Sequence, residues 1–374
     1  MSLFKKLPLH SEHLNLGAKI TSFAGWQVPL FYTSIFDEYK HCRQGAALFD
    51  ISHMGEFIFK GDVEASGIEK AVTPWIEKIP TGRSRYGFIL NKSGGIIDDL
   101  LIFKISSDKI LFVVNAAAES IDYKRLNEVI ESGNLKNISS KTAKIDLQGP
   151  LAKEVLEQVL GFCQDISYFS FVEFDYKGEK ILISRTGYTG ELGYEIFMPN
   201  KLVLSIWEQF INHEKVKPAG FGARDILRLE MGYNLAGNEL TEAITPLEAG
   251  LGKFINFDKD FIGKDALLKQ KNKGVEKIQV AFIANSKRIP RPGYKIYYQD
   301  REIGEVTSGS FSAHLSAGIG LGYLKSSLAN QVRKDDSDMK IIVGDNKKVR
   351  IEAQIVKLPF YKKGSARKNY LLKT

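Results

Sequence analysis

Between residues 84 and 115 three β-prone runs alternate with two turn sequences, and no other stretch constrains the fold of this chain as tightly. Arg85 to Leu90 reads as a strand, Asn91-Lys92-Ser93-Gly94-Gly95 as a turn, and Leu100 to Ile105 as a second strand. Ser106-Ser107-Asp108-Lys109 turns the chain again into a third strand, Ile110 to Val114. A meander of this kind carries its own register. Folding the second hairpin about Ser107 and Asp108 pairs residues whose numbers sum to about 215, which sets Asp99 beside Asn115 or its neighbour. Folding the first about Ser93 pairs numbers summing to roughly 186, which sets Tyr86 or Gly87 opposite Asp99. An acid, an amide and a phenol then gather at one end of a sheet, where they suit a polar ligand. The alternative is that Asp98 and Asp99 are turn or strand-edge acids after the Gly94-Gly95 turn.

A chain of 374 residues is longer than one compact core usually takes, so two or three domains are expected. Leu9 to Ile51 mixes a turn-rich entry (Phe23-Ala24-Gly25-Trp26, Pro29) with a helix around Phe36 to Ala47. Gln148-Gly149-Pro150 breaks the chain before a helix over Leu151 to Leu160, and a β-hairpin follows, Lys180 to Arg185 and Gly193 to Met198. Residues 202–213 and 223–233 read as helices from their period and their helix formers. Lys269 to Lys277 reads as a polar, lysine-rich linker. Beyond it, short runs punctuated by Pro290, Pro292 and glycines from Gly293 to Gly344 suggest a small β-barrel or sandwich. The boundary is placed near residue 275, between a body of residues 1–275 and a β-rich domain of residues 276–374.

Two further segments carry chemistry. Ser184-Arg185-Thr186-Gly187-Tyr188-Thr189-Gly190-Glu191-Leu192-Gly193-Tyr194-Glu195 places glycines in a loop between strands, where backbone can approach a bound molecule. It reads equally as a flexible hairpin loop. Glu195 falls within the returning strand, where a carboxylate needs solvent or a partner, and a carboxylate matches a ligand with two adjacent N–H donors. In Gly220-Phe221-Gly222-Ala223-Arg224-Asp225-Ile226-Leu227-Arg228-Leu229-Glu230, glycines precede a helix with Arg224 near its N-terminus. An ordinary ion-pair network on a helix surface reads as well. Neither segment has the spacing of a phosphate-binding or dinucleotide-binding glycine motif.

Composition narrows the classes. Lys and Arg number 52 against 44 acids, for a net charge of +8. Six of the basic residues lie between Lys357 and Thr374, with no acid among them, and Phe360, Tyr361 and Tyr370 there favour packing on the body over disorder. A basic surface suits nucleic acid, an acidic protein partner or a polycarboxylate ligand alike. No aromatic–basic motif for a nucleic-acid-binding sheet face is found. No apolar run approaches the ~20 residues of a membrane span, and no apolar signal core precedes Pro8, so a cytoplasmic location is expected. Cys42 and Cys163 form no pair motif and read as buried reduced thiols. The six histidines show no metal-ligand spacing, and no metal is expected.

Read together and in order, several segments resemble the glycine-cleavage T-protein family over almost the whole chain. They are Phe23-Ala24-Gly25-Trp26 through Pro29-Leu30, Tyr32-Thr33-Ser34-Ile35, Leu48-Phe49-Asp50-Ile51-Ser52-His53-Met54-Gly55-Glu56, Gly94-Gly95-Ile96-Ile97-Asp98-Asp99-Leu100 and Val113-Val114-Asn115-Ala116. Ser184 to Glu191, Gly222-Ala223-Arg224-Asp225, Arg228-Leu229-Glu230 and Gly304-Glu305-Val306-Thr307-Ser308-Gly309 continue the match. The resemblance implies an α+β fold, a three-lobed folate-binding body of two intertwined lobes around a central channel with a C-terminal β-barrel domain. It implies transfer of a one-carbon unit from an aminomethyl group on the lipoyl arm of H-protein, an acidic partner, to tetrahydrofolate as co-substrate. Ammonia is released and 5,10-methylenetetrahydrofolate forms. By the same resemblance Asp99 is the catalytic acid, and Met54, Tyr86, Asn115, Tyr188, Glu195 and Arg224 are folate-site positions. A basic residue near the C-terminus, Arg367, is the further folate-site choice, with Tyr370 as its alternative.

Relatives of that fold narrow the choice. A folate-dependent demethylase is the enzymatic alternative, disfavoured by the completeness of the segments above. Sarcosine and dimethylglycine dehydrogenases need a flavin domain for which there is no room. The folate-binding iron–sulfur assembly factor carries a KGCYxGQE-type segment that is missing here.

Overall fold

The computed structural model, which describes residues 4–329, 340–345 and 348–367, sorts its strands into three open sheets and one closed barrel. The meander forms as Arg83–Leu90, Ile96–Lys104 and Lys109–Val114 in antiparallel succession. Gly55–Lys60 and Asn134–Asn137 complete it to five strands. Its first hairpin departs from the expected register. Next to the turn Leu90 faces Ile96 as expected, but a bulge between Ile89 and Leu90 shifts the pairing, so Phe88 stands opposite Asp99 instead of Tyr86 or Gly87. Tyr86 lies two residues along on the same face of the strand. The turn itself needs its glycines: Gly94 has φ +83°, and a Cβ on Gly95 would meet the Glu242 carbonyl oxygen at 1.9 Å.

The six-stranded sheet runs Phe171–Tyr176, Glu179–Ser184, Gly193–Pro199, Thr142–Gln148, Ala46–Asp50 and Val216–Pro218. The chain passes back and forth between this sheet and the five-stranded one, which is why neither is a continuous stretch of sequence. Helices Ala152–Leu160 and Asn200–Ile211 cover it through a core that includes Ile145, Leu156, Ile196, Trp207 and Phe210. A small sheet, Lys5–Lys6, Trp26–Phe31 and Lys19–Phe23, adds the N-terminal hairpin.

Among the boundaries that differ from expectation, two have a clear local cause. The helix expected over Phe36 to Ala47 is Ile35–Gln44, capped by the Ser34 hydroxyl accepting from the Asp37 amide, and Gly45 ends it so that Ala46 can enter the sheet. The stretch read as a linker from Lys269 is the end of helix Lys264–Lys273. Leu267 is the one buried residue of that helix, so its lysine-rich, almost fully solvated surface gave no helical period. The closed barrel starts at Lys277–Ala284 and continues through Ala317–Lys325, Arg301–Ser312, Lys295–Tyr298, Lys340–Gly344 and Arg350–Val356. Phe282, Ile296, Val306, Leu324, Val343 and Ile351 fill it.

Apolar seams join the three lobes pairwise. Phe103, Leu111 and Val113 of the five-stranded sheet pack on Phe171, Leu182 and Phe197 of the six-stranded one. Phe88, Leu90 and Ile96 meet Leu240, Phe261, Leu267 and the barrel's Tyr323. Leu229 of helix Phe221–Met231 packs on Ala281, Ile319 and Leu321 of the barrel, while Ala223, Ile226 and Leu227 of the same helix pack on Phe49 and Ile51. Such a ring of contacts leaves its centre open. The chain leaving the barrel returns to the body: Phe360 is buried, Tyr361 N–H donates to the Glu230 carbonyl at 2.9 Å, and the Arg43 guanidinium lies 3.9 Å from the Tyr361 ring centre. Both cysteines are unpaired. Cys42 is buried as expected, but Cys163, just past the C-terminal cap of helix Ala152–Leu160, is exposed. No helix among the described residues is long and apolar enough to cross a membrane.

Candidate active site

The open centre is a cavity of about 1590 Å³ whose wall includes Met54, Tyr86, Asp99, Asn115, Tyr188, Glu195, Arg224 and Arg367. All eight residues singled out in the sequence therefore face one space, although they come from both sheets, a helix and the C-terminal segment. Tyr370 lies outside the described residues.

The meander supplies the first group. Asn115 follows the last strand and donates from Nδ2 to Asp99 Oδ1 at 2.9 Å, to the Asp99 carbonyl at 3.0 Å and to Asp98 Oδ1 at 2.9 Å, while its N–H donates to Asp98 Oδ2 at 3.0 Å. Asp99 keeps part of its surface open to the cavity; Asp98, one residue back, points to the other face and is buried. Burial pushes the Asp99 carboxyl up to about 7, the charge of Asp98 pushes the same way, and hydrogen bonding by Tyr86 and Asn115 pulls it back. The Tyr86 phenol is pushed up by burial and by Asp99. Behind Asp98 lies Asp122, from the first turn of helix Glu119–Val129, fully buried and raised to about 10 by burial and by Asp98. Asp122 is thus neutral at physiological pH.

The six-stranded sheet supplies the second group. Asp146 and Glu195 are cross-strand partners on adjacent strands, and Lys144 lies two residues from Asp146 on the same face. Glu195 is buried, accepts from the Thr186 hydroxyl, and has Lys144 Nζ 3.9 Å from Oε1. Lys144 Nζ also sits 3.0 Å from the Met54 sulfur. Asp146 holds Arg224 Nη1 at 2.5 Å, and the Arg224 guanidinium lies 5.2 Å from the Tyr188 ring centre. Burial raises Asp146 to about 6 against the pull of Arg224. Tyr188 stacks on Tyr233 at 5.7 Å, its hydroxyl donates to the Asn234 carbonyl, and burial pushes its pKa upward. Arg367 is exposed at the rim, 5.9 Å from the Tyr168 ring centre.

Sequence reasoning missed Lys144, Asp146, Asp122 and His53, and its alternative of a surface ion-pair network on the helix does not describe Arg228 and Glu230. Both are buried instead. Arg228 donates to Ser308 Oγ at 2.9 Å and to Glu239 Oε2 at 3.1 Å, and Glu230 accepts from Tyr39 and from Arg43 Nη2 at 2.8 Å. These pairs clamp the helix to the barrel and to helix Ile35–Gln44. The alternation in Thr142–Gln148 was the available signal for Lys144 and Asp146. Among the described residues no group of three or more His, Cys, Asp or Glu is placed to hold a metal ion.

A cavity walled by three lobes, larger than the roughly 300–1,000 Å³ of a one-ligand pocket and lined by Asp99 with its raised pKa, by phenols and by a guanidinium, defines an enzyme site with room for two organic reactants. The comparisons with known proteins carry the assignment further. Residues 9–259 match the model of the GCVT N-terminal domain, and residues 277–362 match that of the glycine cleavage T-protein C-terminal barrel domain. The aminomethyltransferase of Thermotoga petrophila is 41% identical over 97% of this chain and 99% of its own length. That of Caldanaerobacter subterraneus subsp. tengcongensis is 43% identical over 96% of each. The crystal structure of glycine cleavage system aminomethyltransferase T from Bartonella henselae superimposes with a TM-score of 0.89 at 30% identity, over 97% of this chain and 99% of that one. The chain belongs to the glycine cleavage T-protein family of aminomethyltransferases.

Proposed function

We propose that this chain transfers the methylene carbon of an aminomethyl group, carried as a thioether on the lipoyl arm of H-protein, to tetrahydrofolate. Ammonia leaves, the dihydrolipoyl arm is released, and 5,10-methylenetetrahydrofolate forms. The observation that carries this reading is the gathering of eight residues from separate elements on one cavity wall.

The residues suit such a substrate pair. Glu195, fixed by Thr186, offers a carboxylate to the paired N–H donors of a pterin edge, and Arg224, braced by Asp146, faces the Tyr188 ring beside it. Asp99 orients a folate amine and stabilises the positive charge that develops there on attack. Tyr86 and Asn115 hold Asp99 in place, and Arg367 at the rim suits a glutamate carboxylate of the folate tail. For the unprotonated amine the balance is simple. The thioether and folate give the free thiol, ammonia and the methylene product, with the two folate N–H protons going to sulfur and to nitrogen. Holding both reactants in register supplies much of the rate, up to about 7–11 kcal/mol in the best-oriented cases. The protein supplies no nucleophile in this scheme.

Two unpaired cysteines and a reduced dithiol product suit a reducing compartment, so the reading places the enzyme in the cytoplasm. The test is a reconstituted assay with aminomethyl-loaded H-protein, following methylenetetrahydrofolate. Product dependent on both substrates supports the reading. Turnover of a free N-methyl donor, with none of loaded H-protein, would replace it with a demethylase.

A further inference from the structure

His53 has no part in the scheme above, yet its position is unusual. It lines the cavity, is 5% exposed, and its Nδ1 is enclosed with no hydrogen-bond partner. Its ring edge meets Phe23 at 5.7 Å and Phe221 at 5.0 Å, and those two rings lie 4.4 Å apart. All three rings border the cavity, as do Ser22 and Ala24, which are exposed beside Phe23. The three rings therefore pack on one another as one aromatic face of the cavity wall, with two half-buried phenylalanines beside a buried imidazole.

Charge explains what that imidazole is. Burial holds its pKa down to about 3, and Arg224 and Lys144 push the same way. Asp50 pulls upward, but its carboxylate is already engaged by His13 Nε2 at 2.9 Å and the Ser52 N–H at 2.9 Å. The ring is neutral throughout the physiological range. It can give a hydrogen bond from Nε2 but not a proton.

The two reactants differ in what they need. A pterin is flat and rich in N–H groups, which suits the Glu195 and Asp99 side of the cavity. A thioether on a flexible arm is apolar, enters from outside, and develops negative charge on sulfur as it reacts. Resting on the reading above, we infer that the aromatic face of Phe23, Phe221 and His53 receives the aminomethyl thioether, and that His53 Nε2–H hydrogen-bonds the departing sulfur. In that step the C–S bond breaks with its electron pair going to sulfur, and the amine lone pair closes a C=N bond to the carbon. The thiolate so formed keeps the His53 hydrogen bond until a folate N–H proton, released on attack, converts it to thiol. A neutral donor aimed where charge develops lowers the barrier without a proton transfer of its own.

The experiment compares wild type, His53→Leu and His53→Gln with aminomethyl-loaded H-protein, and titrates each with tetrahydrofolate by calorimetry. The leucine variant should lose on the order of 10²-fold in kcat/KM for H-protein, the scale of one transition-state donor. Its folate affinity should stay within about twofold. Glutamine, which keeps an N–H, should recover about tenfold of the loss, a rescue that a purely structural role would not show once thermal unfolding confirms all three are folded. The ratio of wild type to leucine variant should be flat between about pH 5 and 9, because the ring does not titrate there. Wild-type turnover by the leucine variant overturns the inference. So does a folate affinity that falls in step with the rate, or a ratio that titrates near the ordinary histidine pKa of about 6.5. Failure of wild type itself to turn over loaded H-protein would remove the functional reading, and this inference with it.

Discussion

Replacing Asp99 by asparagine changes one oxygen for an amide nitrogen and leaves the neighbourhood nearly intact. Asp99 Oδ1 accepts from Asn115 Nδ2 at 2.9 Å, and an amide oxygen can keep that bond. The amide nitrogen then takes the place of the oxygen facing Tyr86 and the cavity. What is lost is a negative charge beside the developing cation on the folate amine. At about 4 Å and an effective dielectric near 20, two unit charges interact by roughly 4 kcal/mol. The charge is only partly formed in the transition state, so about 3–4 kcal/mol is at stake, or on the order of 10²–10³ in turnover. The assay is methylenetetrahydrofolate production from loaded H-protein, measured from about pH 5.5 to 8.5, with folate affinity measured separately. Because the Asp99 carboxyl is raised to about 7, the wild-type enzyme is protonated and idle below that value, so kcat/KM should climb about tenfold per pH unit and then level. In the asparagine variant that limb should vanish, with folate affinity within a few-fold of wild type. Asp98→Asn should cost less, since Asp98 faces away from the cavity. Wild-type turnover by Asp99→Asn, or an acid limb surviving in it, would refute the assignment.

Three more outcomes follow from the same geometry. Glu195→Ala should weaken tetrahydrofolate binding by about 1.5–3 kcal/mol, read by calorimetry, because paired N–H donors lose a charged acceptor; an unchanged dissociation constant returns Glu195 to a role in the Lys144 pair alone. Asp122 should make wild type lose stability relative to Asp122→Asn as pH rises from 3.8 to about 10, since the folded state keeps a proton there that the unfolded chain releases; denaturant midpoints of the two proteins that run parallel across that range would contradict it. Lys287, Arg288 and Arg291 are exposed next to Pro292 at the cavity wall, and exposed Lys363 adjoins Lys362, which lines it, so H-protein should dock there. Salt, which screens such charges over about 8–10 Å, and Arg288→Glu or Arg291→Glu should each raise KM for H-protein much more than for tetrahydrofolate, and an equal response of both substrates would exclude that surface.

The parts of the site legible in the sequence are those whose geometry is local. Hairpin arithmetic brought Asp99 to Asn115 because a meander fixes its register through its turns, and it missed the register of the first hairpin by the one residue that the bulge between Ile89 and Leu90 inserts. Nothing in the run from Phe88 to Gly95 announces that bulge. The strand Thr142–Gln148 shows the deeper reason for what was missed. Ala143, Ile145 and Leu147 alternate with Lys144, Asp146 and Gln148, the pattern of a strand with one wet face, yet every one of these six is buried. The polar face turns toward the interior, where Lys144 approaches Glu195 and Met54, and Asp146 pairs with an arginine from a helix 78 residues away. Alternation reports that two faces differ; it does not report whether the polar one meets bulk water or a wall inside the molecule. That is decided by the seams between lobes, each made of residues far apart in the chain. His53 shows the limit of the same reasoning. Nothing in its local sequence marks it, because its setting, an Nδ1 without a hydrogen-bond partner beside the rings of Phe23 and Phe221, exists only in the closed fold.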